Sequence, residues 1–228
     1  MRATTILIAS CAAFAAGPSA ANAAQLLVDM REPFFLRPPD LSEPELQRVL
    51  VAAAKGGEET TINSAVSGAF TAPGRKETLY VLQRGGPRAA EPDTPAGVTL
   101  AVFNDGRLEA RLTTDAGNFV QSTPDIDGDG VNEVLLRTDS YQMGVATTRL
   151  SLVRVVHDQL ETIASFDEAR VDRCGDERFG GDVEAEVIRY EPGAKPAFVV
   201  ENFEGRCVDG EPPSAAKFEQ KSKSKGFP

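Results

Sequence analysis

The chain has 228 residues, with 34 Asp and Glu against 24 Lys and Arg for a formal net charge of −10, and a single histidine. That acidity is the wrong sign for nucleic acid and for an anionic membrane surface, and one histidine excludes zinc centres built on two or three imidazoles. About two hundred residues suffice for one domain with a real core, or two small ones.

At the N-terminus, Arg2 precedes an apolar run from Thr4 to Ala16, and small and polar residues lead to Ala21-Asn22-Ala23. This pattern predicts a secretory signal peptide over 1–23, cleaved after Ala23. Ile8-Ala9-Ser10-Cys11 is a loose lipobox, but the short apolar run before Cys11 argues against a lipid anchor. No later segment is long and apolar enough to be a transmembrane helix. The expected location is therefore the periplasm or the outside of the cell. Losing Cys11 with the signal leaves Cys174 and Cys207, which an oxidising compartment would join as a disulfide; the alternative is two separate buried thiols.

Residues 24–59 read as an extended, Pro-interrupted segment followed by an amphipathic helix. Ser42 and Glu45 fit a capping box, Leu46, Val49, Leu50 and Ala53 form one apolar stripe, and Gly56-Gly57 ends the run. Such a helix is expected to cover a sheet.

Residues 60–211 carry the punctuation of antiparallel strands and turns. Thr78–Leu82 is a short strand, followed by a Gly/Pro-rich loop over 85–97 that is expected to be mobile. Asn104-Asp105-Gly106 and His157-Asp158-Gln159 each separate two strand-like runs, which marks two hairpins. Glu133–Thr138 reads as another strand, and Val183, Ala185 and Val187 alternate with charged residues before Ala197–Phe203 returns. The tail over 212–228 lacks a core-forming pattern and is expected to be disordered.

A weak internal repeat runs through this domain. Phe70 to Tyr80 aligns with Ile126 to Leu136, keeping Gly, Glu and the apolar strand in step, and Pro192 to Val200 is a fainter third copy. The middle copy is the specific signal of the chain, Asp125-Ile126-Asp127-Gly128-Asp129-Gly130-Val131-Asn132-Glu133. Carboxylates at alternate positions of a tight loop can converge on a hard cation, which takes oxygen ligands. Asp125, Asp127 and Asp129, the Val131 carbonyl and Glu133 are the candidate ligands, with Gly130 permitting the turn. Without a cation the carboxylates would repel one another. Calcium (Ca2+) suits the set better than magnesium, which demands strict octahedral geometry.

An EF-hand is excluded, since its position twelve falls on Leu136 and a strand follows. The loop resembles instead the D-x-D-x-D-G-x-x-[DE] loop of FG-GAP and VCBS repeats, which joins two strands of a β-propeller blade as in integrin-type propellers. The full match covers about fifteen residues, Pro124 to Thr138, with the degenerate copy at Gly68 to Leu82. That copy has Ala69, Thr71, Ala72 and Pro73 where the Asp and Gly residues belong, so it lacks metal ligands. Two or three units are too few for a closed propeller.

The expected fold class is thus mainly β, with antiparallel blade-like units as a partial or degenerate propeller or an open sheet or sandwich, plus one N-terminal helix. The N-terminal pattern, the acidic loop and the resemblance together point to an exported calcium-binding module with a non-catalytic binding or structural role at the cell envelope or outside it and a protein or glycan ligand. The alternative is an exported hydrolase whose calcium supports the scaffold. His157 at a hairpin turn lacks a G-x-S-x-G elbow to serve, no dinucleotide or Walker motif is present, and no catalytic residue is assigned.

Overall fold

The computed structural model describes residues 23–32, 38–53, 60–84, 97–115, 117–175 and 181–225. The expected signal peptide up to residue 22, with Cys11, the helix stop at Gly56-Gly57 and nearly all of the loop over 85–97 lie outside the described residues.

The protein is mainly β, with two antiparallel sheets and one α-helix among the described residues. The smaller sheet joins β2 (Thr60–Gly68), β3 (Glu77–Arg84), β4 (Val98–Asn104) and β5 (Arg107–Thr114) in chain order. The larger, curled sheet runs from β6 (Phe119–Ser122) through β7 (Val134–Gln142), β8 (Val145–Val156), β9 (Gln159–Asp172), β10 (Asp182–Glu191) and β11 (Ala197–Arg206) to β12 (Glu219–Lys225), and β1 (Gln25–Asp29) pairs with β10. This is the architecture of an open sheet or a partial propeller.

Local chemistry places the turns. Asp105 (φ 47°) with Gly106 (φ 76°), Met143 (φ 51°) with Gly144 (φ 87°), and His157 (φ 46°) with Asp158 (φ 61°) each put two successive residues in the left-handed region. That is the backbone of a two-residue type I′ hairpin, whose twist matches the flanking strands. Asn104↔Arg107, Gln142↔Val145 and Val156↔Gln159 accordingly face one another across the three turns.

Continuous apolar runs bury both faces of a strand. In β3, Leu79 and Val81 point into a core shared with the larger sheet, while Tyr80 and Leu82 point to the opposite layer. In β7, Val134 and Leu136 join that shared core and Leu135 faces the inside of the curl with Leu150, Leu152, Phe166 and Ile188. The layers are therefore helix, small sheet, shared core, large sheet and inner core. The helix α1 (Glu43–Ala53) covers the outer face of the small sheet as expected, through Val49 and Ala53 on Tyr80, Leu82, Ala101 and Phe103. Its entry is not the expected capping box, since Glu45 N–H donates to the Ser42 backbone carbonyl at 3.0 Å. The Glu45 carboxylate accepts the Tyr80 hydroxyl at 2.6 Å, which ties the first turn to the sheet.

Cys174 and Cys207 form the expected disulfide, with Cα atoms 5.5 Å apart and a sequence separation of 33. A closed loop of that length stabilises the fold by about 3 to 4 kcal/mol in the chain-entropy description.

The tail expectation is corrected. Ala215–Lys217 forms a 3-10 turn, Phe218 is buried in the inner core, and Glu219–Lys225 pairs with β11 as an edge strand. Its alternating Lys and Ser carry no apolar pattern because the strand is held by backbone pairing and by ion pairs such as Lys223 to Glu201 at 2.7 Å. Lysine on an edge strand also discourages pairing with other chains.

Candidate metal centre

The three copies of the sequence repeat fall on turns between paired strands. β2–β3, β6–β7 and β10–β11 are three antiparallel strand pairs, each joined by a turn that belongs to one copy. The three turns touch in succession. Asn132 N–H donates to the Ala69 carbonyl at 2.6 Å and Ala69 N–H donates to Asn132 Oδ1 at 2.8 Å, so the first and second loops are clasped reciprocally. Gly193 N–H of the third turn donates to the Ile126 carbonyl at 3.1 Å. The acidic loop is the middle member of the row.

Within that loop the backbone holds the acids in place. Asp125 accepts Gly128 N–H at 2.8 Å and Gly130 N–H at 3.1 Å, Asp127 accepts Asp129 N–H at 3.1 Å, and Asp129 accepts Val131 N–H at 2.7 Å. Gly128 (φ 80°) and Gly130 (φ 85°) take the positive φ that lets the chain turn this tightly. At Gly130 a Cβ would also stand 3.2 Å from Pro73 of the neighbouring loop.

One carboxylate oxygen from each of Asp125, Asp127 and Asp129 lies within 4.8 Å of the others. Asp125 and Asp127 are half-buried and Asp129 is exposed. The structure thus brings together three of the residues expected as ligands. Glu133 stands apart from the three. It is 2% exposed, its N–H donates to the Pro124 carbonyl at 2.7 Å, and its Oε2 accepts Ile126 N–H at 2.8 Å. No donor reaches Oε1 among the described residues. Burial, then the neighbouring Asp127 and Asp125 charges, push Glu133 up to about 7 against the help of the Ile126 N–H.

The first loop is a control for this arrangement. Glu77 aligns with Glu133, is 1% exposed, and accepts Phe70 N–H at 2.6 Å and Thr71 N–H at 2.9 Å. Its other oxygen accepts the Thr71 hydroxyl and has the Arg75 guanidinium at 3.5 Å. At the positions of Thr71 and Arg75 the second loop has Asp127 and Val131. The donor has become an acceptor, and the loop's own positive charge is gone; the Arg154 guanidinium of β8, paired with Glu161, is the cation that feels the Asp127 and Glu133 charges. All the available donors are oxygen, a set that fits a hard cation and offers nothing to a soft one.

A cleft of about 550 Å³ opens beside the loop, between it, the β8–β9 hairpin and the third turn. Asp127 and Glu133 line it together with the Arg154–Glu161 ion pair (2.9 Å), Ile163 and Phe198. Residues outside the acidic motif are the ones the sequence does not announce. Asn132 sits at a position with no ligand role, and Arg154, Ile163 and Phe198 come from distant strands.

A smaller hollow of about 270 Å³ lies over β9, β10 and β11, lined by Glu168, Glu184, Glu186 and Glu204. Glu186 Oε2 is buried there without a hydrogen-bond partner among the described residues, and burial followed by the Glu168 charge pushes this residue up to about 7. Glu184 is held by Arg173 at 2.8 Å and Glu204 by Lys221 at 3.1 Å.

Comparison with protein-family models, curated proteins and solved structures finds no match.

Proposed function

We propose that the chain is an exported calcium-binding β module with a non-catalytic binding or structural role at the cell envelope or outside the cell. The observation that supports it is the contrast between Glu77 and Glu133. Two equivalent buried carboxylates need compensation; one has a hydroxyl and a guanidinium, and the other has the Asp127 and Asp125 charges as neighbours. A divalent cation at the triad supplies the missing positive charge, and calcium accepts the mixed carboxylate and carbonyl set of such a loop. Asp125, Asp127, Asp129 and the Val131 carbonyl would hold the ion, with Glu133 closing the shell through Oε1. The kinship with FG-GAP and VCBS repeats stands on the motif and on the threefold use of a strand-turn-strand unit. Export stands on the N-terminal pattern and on the Cys174–Cys207 bond.

Titration calorimetry of Ala24 to Pro228 with calcium, beside an Asp127→Asn/Asp129→Asn variant, tests the reading. One site with a Kd on the order of 0.1 to 1 mM, absent from the variant, is expected. No heat at several millimolar calcium overturns it.

The hydrolase alternative has one observation in its favour, the raised Glu186 beside Glu168, which is the pattern of a general acid near a second carboxylate. Two facts rank it second. The hollow is smaller than the roughly 300 Å³ at which ligand pockets begin, and two of its four acids are engaged in ion pairs.

A further inference from the structure

We propose that the mouth of the curled sheet docks a segment of another protein, with one basic side chain of that segment meeting Glu32 and Glu211 in the mouth and its apolar neighbours resting on Tyr141 and Val208. The acidic loop precedes β7 and the mouth lies toward the other end of that strand, so the docking site stands whether or not the loop holds an ion.

Strand register builds the mouth. Arg137 and Asp139 follow Leu135 at two-residue steps along β7, so they share the inner face of the curl with it. Asp139 faces Thr148 of β8 and Thr148 faces Arg170 of β9, while Ala146 faces Asp172 beside them. The apolar interior around Leu135 and Leu150 thus gives way to a polar recess of about 440 Å³. That volume lies within the range of ligand sites, which occur often in the mouths of β-barrels.

Charge selects the anchor. Both guanidiniums of the recess are engaged: Arg137 Nε donates to the two Asp139 oxygens at 2.9 and 3.0 Å, and buried Arg170 donates to Asp172 at 3.2 Å and to the Met30 carbonyl at 2.8 Å. Glu32 and Glu211 line the same space, are exposed, and make no side-chain hydrogen bond or ion pair among the described residues. Arg31, which feels the Glu32 charge, is itself held by Asp29 at 2.6 Å. Four carboxylates against two guanidiniums leave the recess negative, with the excess on the two acids that have no partner. A basic group is the complementary guest and an anion is not. The border supplies the flanks. Tyr141 faces Ala146 across the β7–β8 pairing, continues the row of Arg137 and Asp139 on one face, and is 73% exposed. Val208 exchanges two backbone hydrogen bonds with Glu211, each at 3.0 Å, and is 51% exposed. With Met143 at the hairpin tip, three of the five large apolar side chains exposed among the described residues gather at this end. Apolar and aromatic side chains around a recess for one anchor are the make-up of a protein interface, and a small free amine would leave them uncovered.

The test is titration calorimetry of the full chain with its disulfide intact, using acetyl-Leu-Arg-Leu-amide as the probe. Saturable binding at one site is expected. Replacing the probe's arginine by citrulline, which keeps the shape and removes the charge, should weaken binding about five- to tenfold, and so should Glu32→Gln/Glu211→Gln. Both glutamates are exposed and without side-chain partners among the described residues, so that variant should fold as the parent does. Asp105→Asn/Asp158→Asn removes the same charge from two hairpin turns, where Asn also tolerates positive φ, and should bind the probe as the parent does. Acetyl-Gly-Arg-Gly-amide on the parent, and the original probe on Tyr141→Ser/Val208→Ser, should bind several-fold more weakly. No binding at several millimolar peptide overturns the proposal. An equal loss in Asp105→Asn/Asp158→Asn overturns it as well, because the attraction is then one of net charge. Undiminished binding of acetyl-Gly-Arg-Gly-amide also overturns it, because the occupant is then a bare basic group.

Discussion

Glu77 and Glu133 occupy the same place in two successive loops, each buried and each accepting the backbone N–H of the residue seven positions earlier, Phe70 at 2.6 Å and Ile126 at 2.8 Å. They differ in what meets the second oxygen. Substitutions at the two sites should therefore have different costs in chelator. Glu77→Gln loses charge-assisted bonds from Thr71 and Arg75 and should destabilise by about 2 kcal/mol or more. Glu133→Gln keeps an acceptor for Ile126 and relieves repulsion from Asp125 and Asp127, so it should be close to neutral. Urea unfolding of both variants without metal checks the pair; equal costs would mean that the two environments are alike.

The clasp between the loops rests on Asn132, which accepts Ala69 N–H at 2.8 Å and donates to the Thr123 carbonyl at 3.0 Å. Asn132→Ala leaves both backbone groups short of a partner in a half-buried site. A loss of about 1 to 3 kcal/mol is expected. Faster amide exchange at Ala69 should accompany it, and unchanged exchange there would contradict the clasp.

Glu186 predicts a pH dependence. Its value of about 7 in the fold lies above the ordinary 4.5, so the folded protein holds the proton more tightly than the unfolded chain does. The stability linked to this proton is fully present below about 4.5 and is lost as pH rises through 7. Glu186→Gln should accordingly stabilise the protein at pH 8, by about 1 kcal/mol once solvent screening of the partly exposed side chain is allowed for. The gain should shrink toward zero at pH 4. Unfolding curves of both proteins at the two pH values measure it, and a gain independent of pH would assign the effect to packing instead.

Much of the fold is written in local pattern. The type I′ hairpins at Asp105-Gly106 and His157-Asp158 follow from residues that tolerate positive φ, and the runs Leu79 to Leu82 and Val134 to Leu136 report burial on both faces. β12 is illegible for a physical reason, since an edge strand held by backbone bonds needs no apolar alternation. The same limit applies to the site. Asp125, Asp127 and Asp129 are neighbours in sequence and converge locally, so the triad can be read directly. Arg154 and Phe198 reach the cleft only through the pairing of β8 with β9 and of β10 with β11, which no short window encodes.

Thermal unfolding of Ala24 to Pro228 in calcium and in chelator, beside the Asp127→Asn/Asp129→Asn variant, tests the central claim most directly. Calcium at about thirty times its Kd should add roughly 2 kcal/mol to the native state, which raises Tm by about 4 to 8 °C for a domain of this size. The variant should melt at the same temperature with and without the ion. An unshifted Tm in the parent protein, or an equal shift in the variant, would contradict a calcium ion held by Asp125, Asp127 and Asp129.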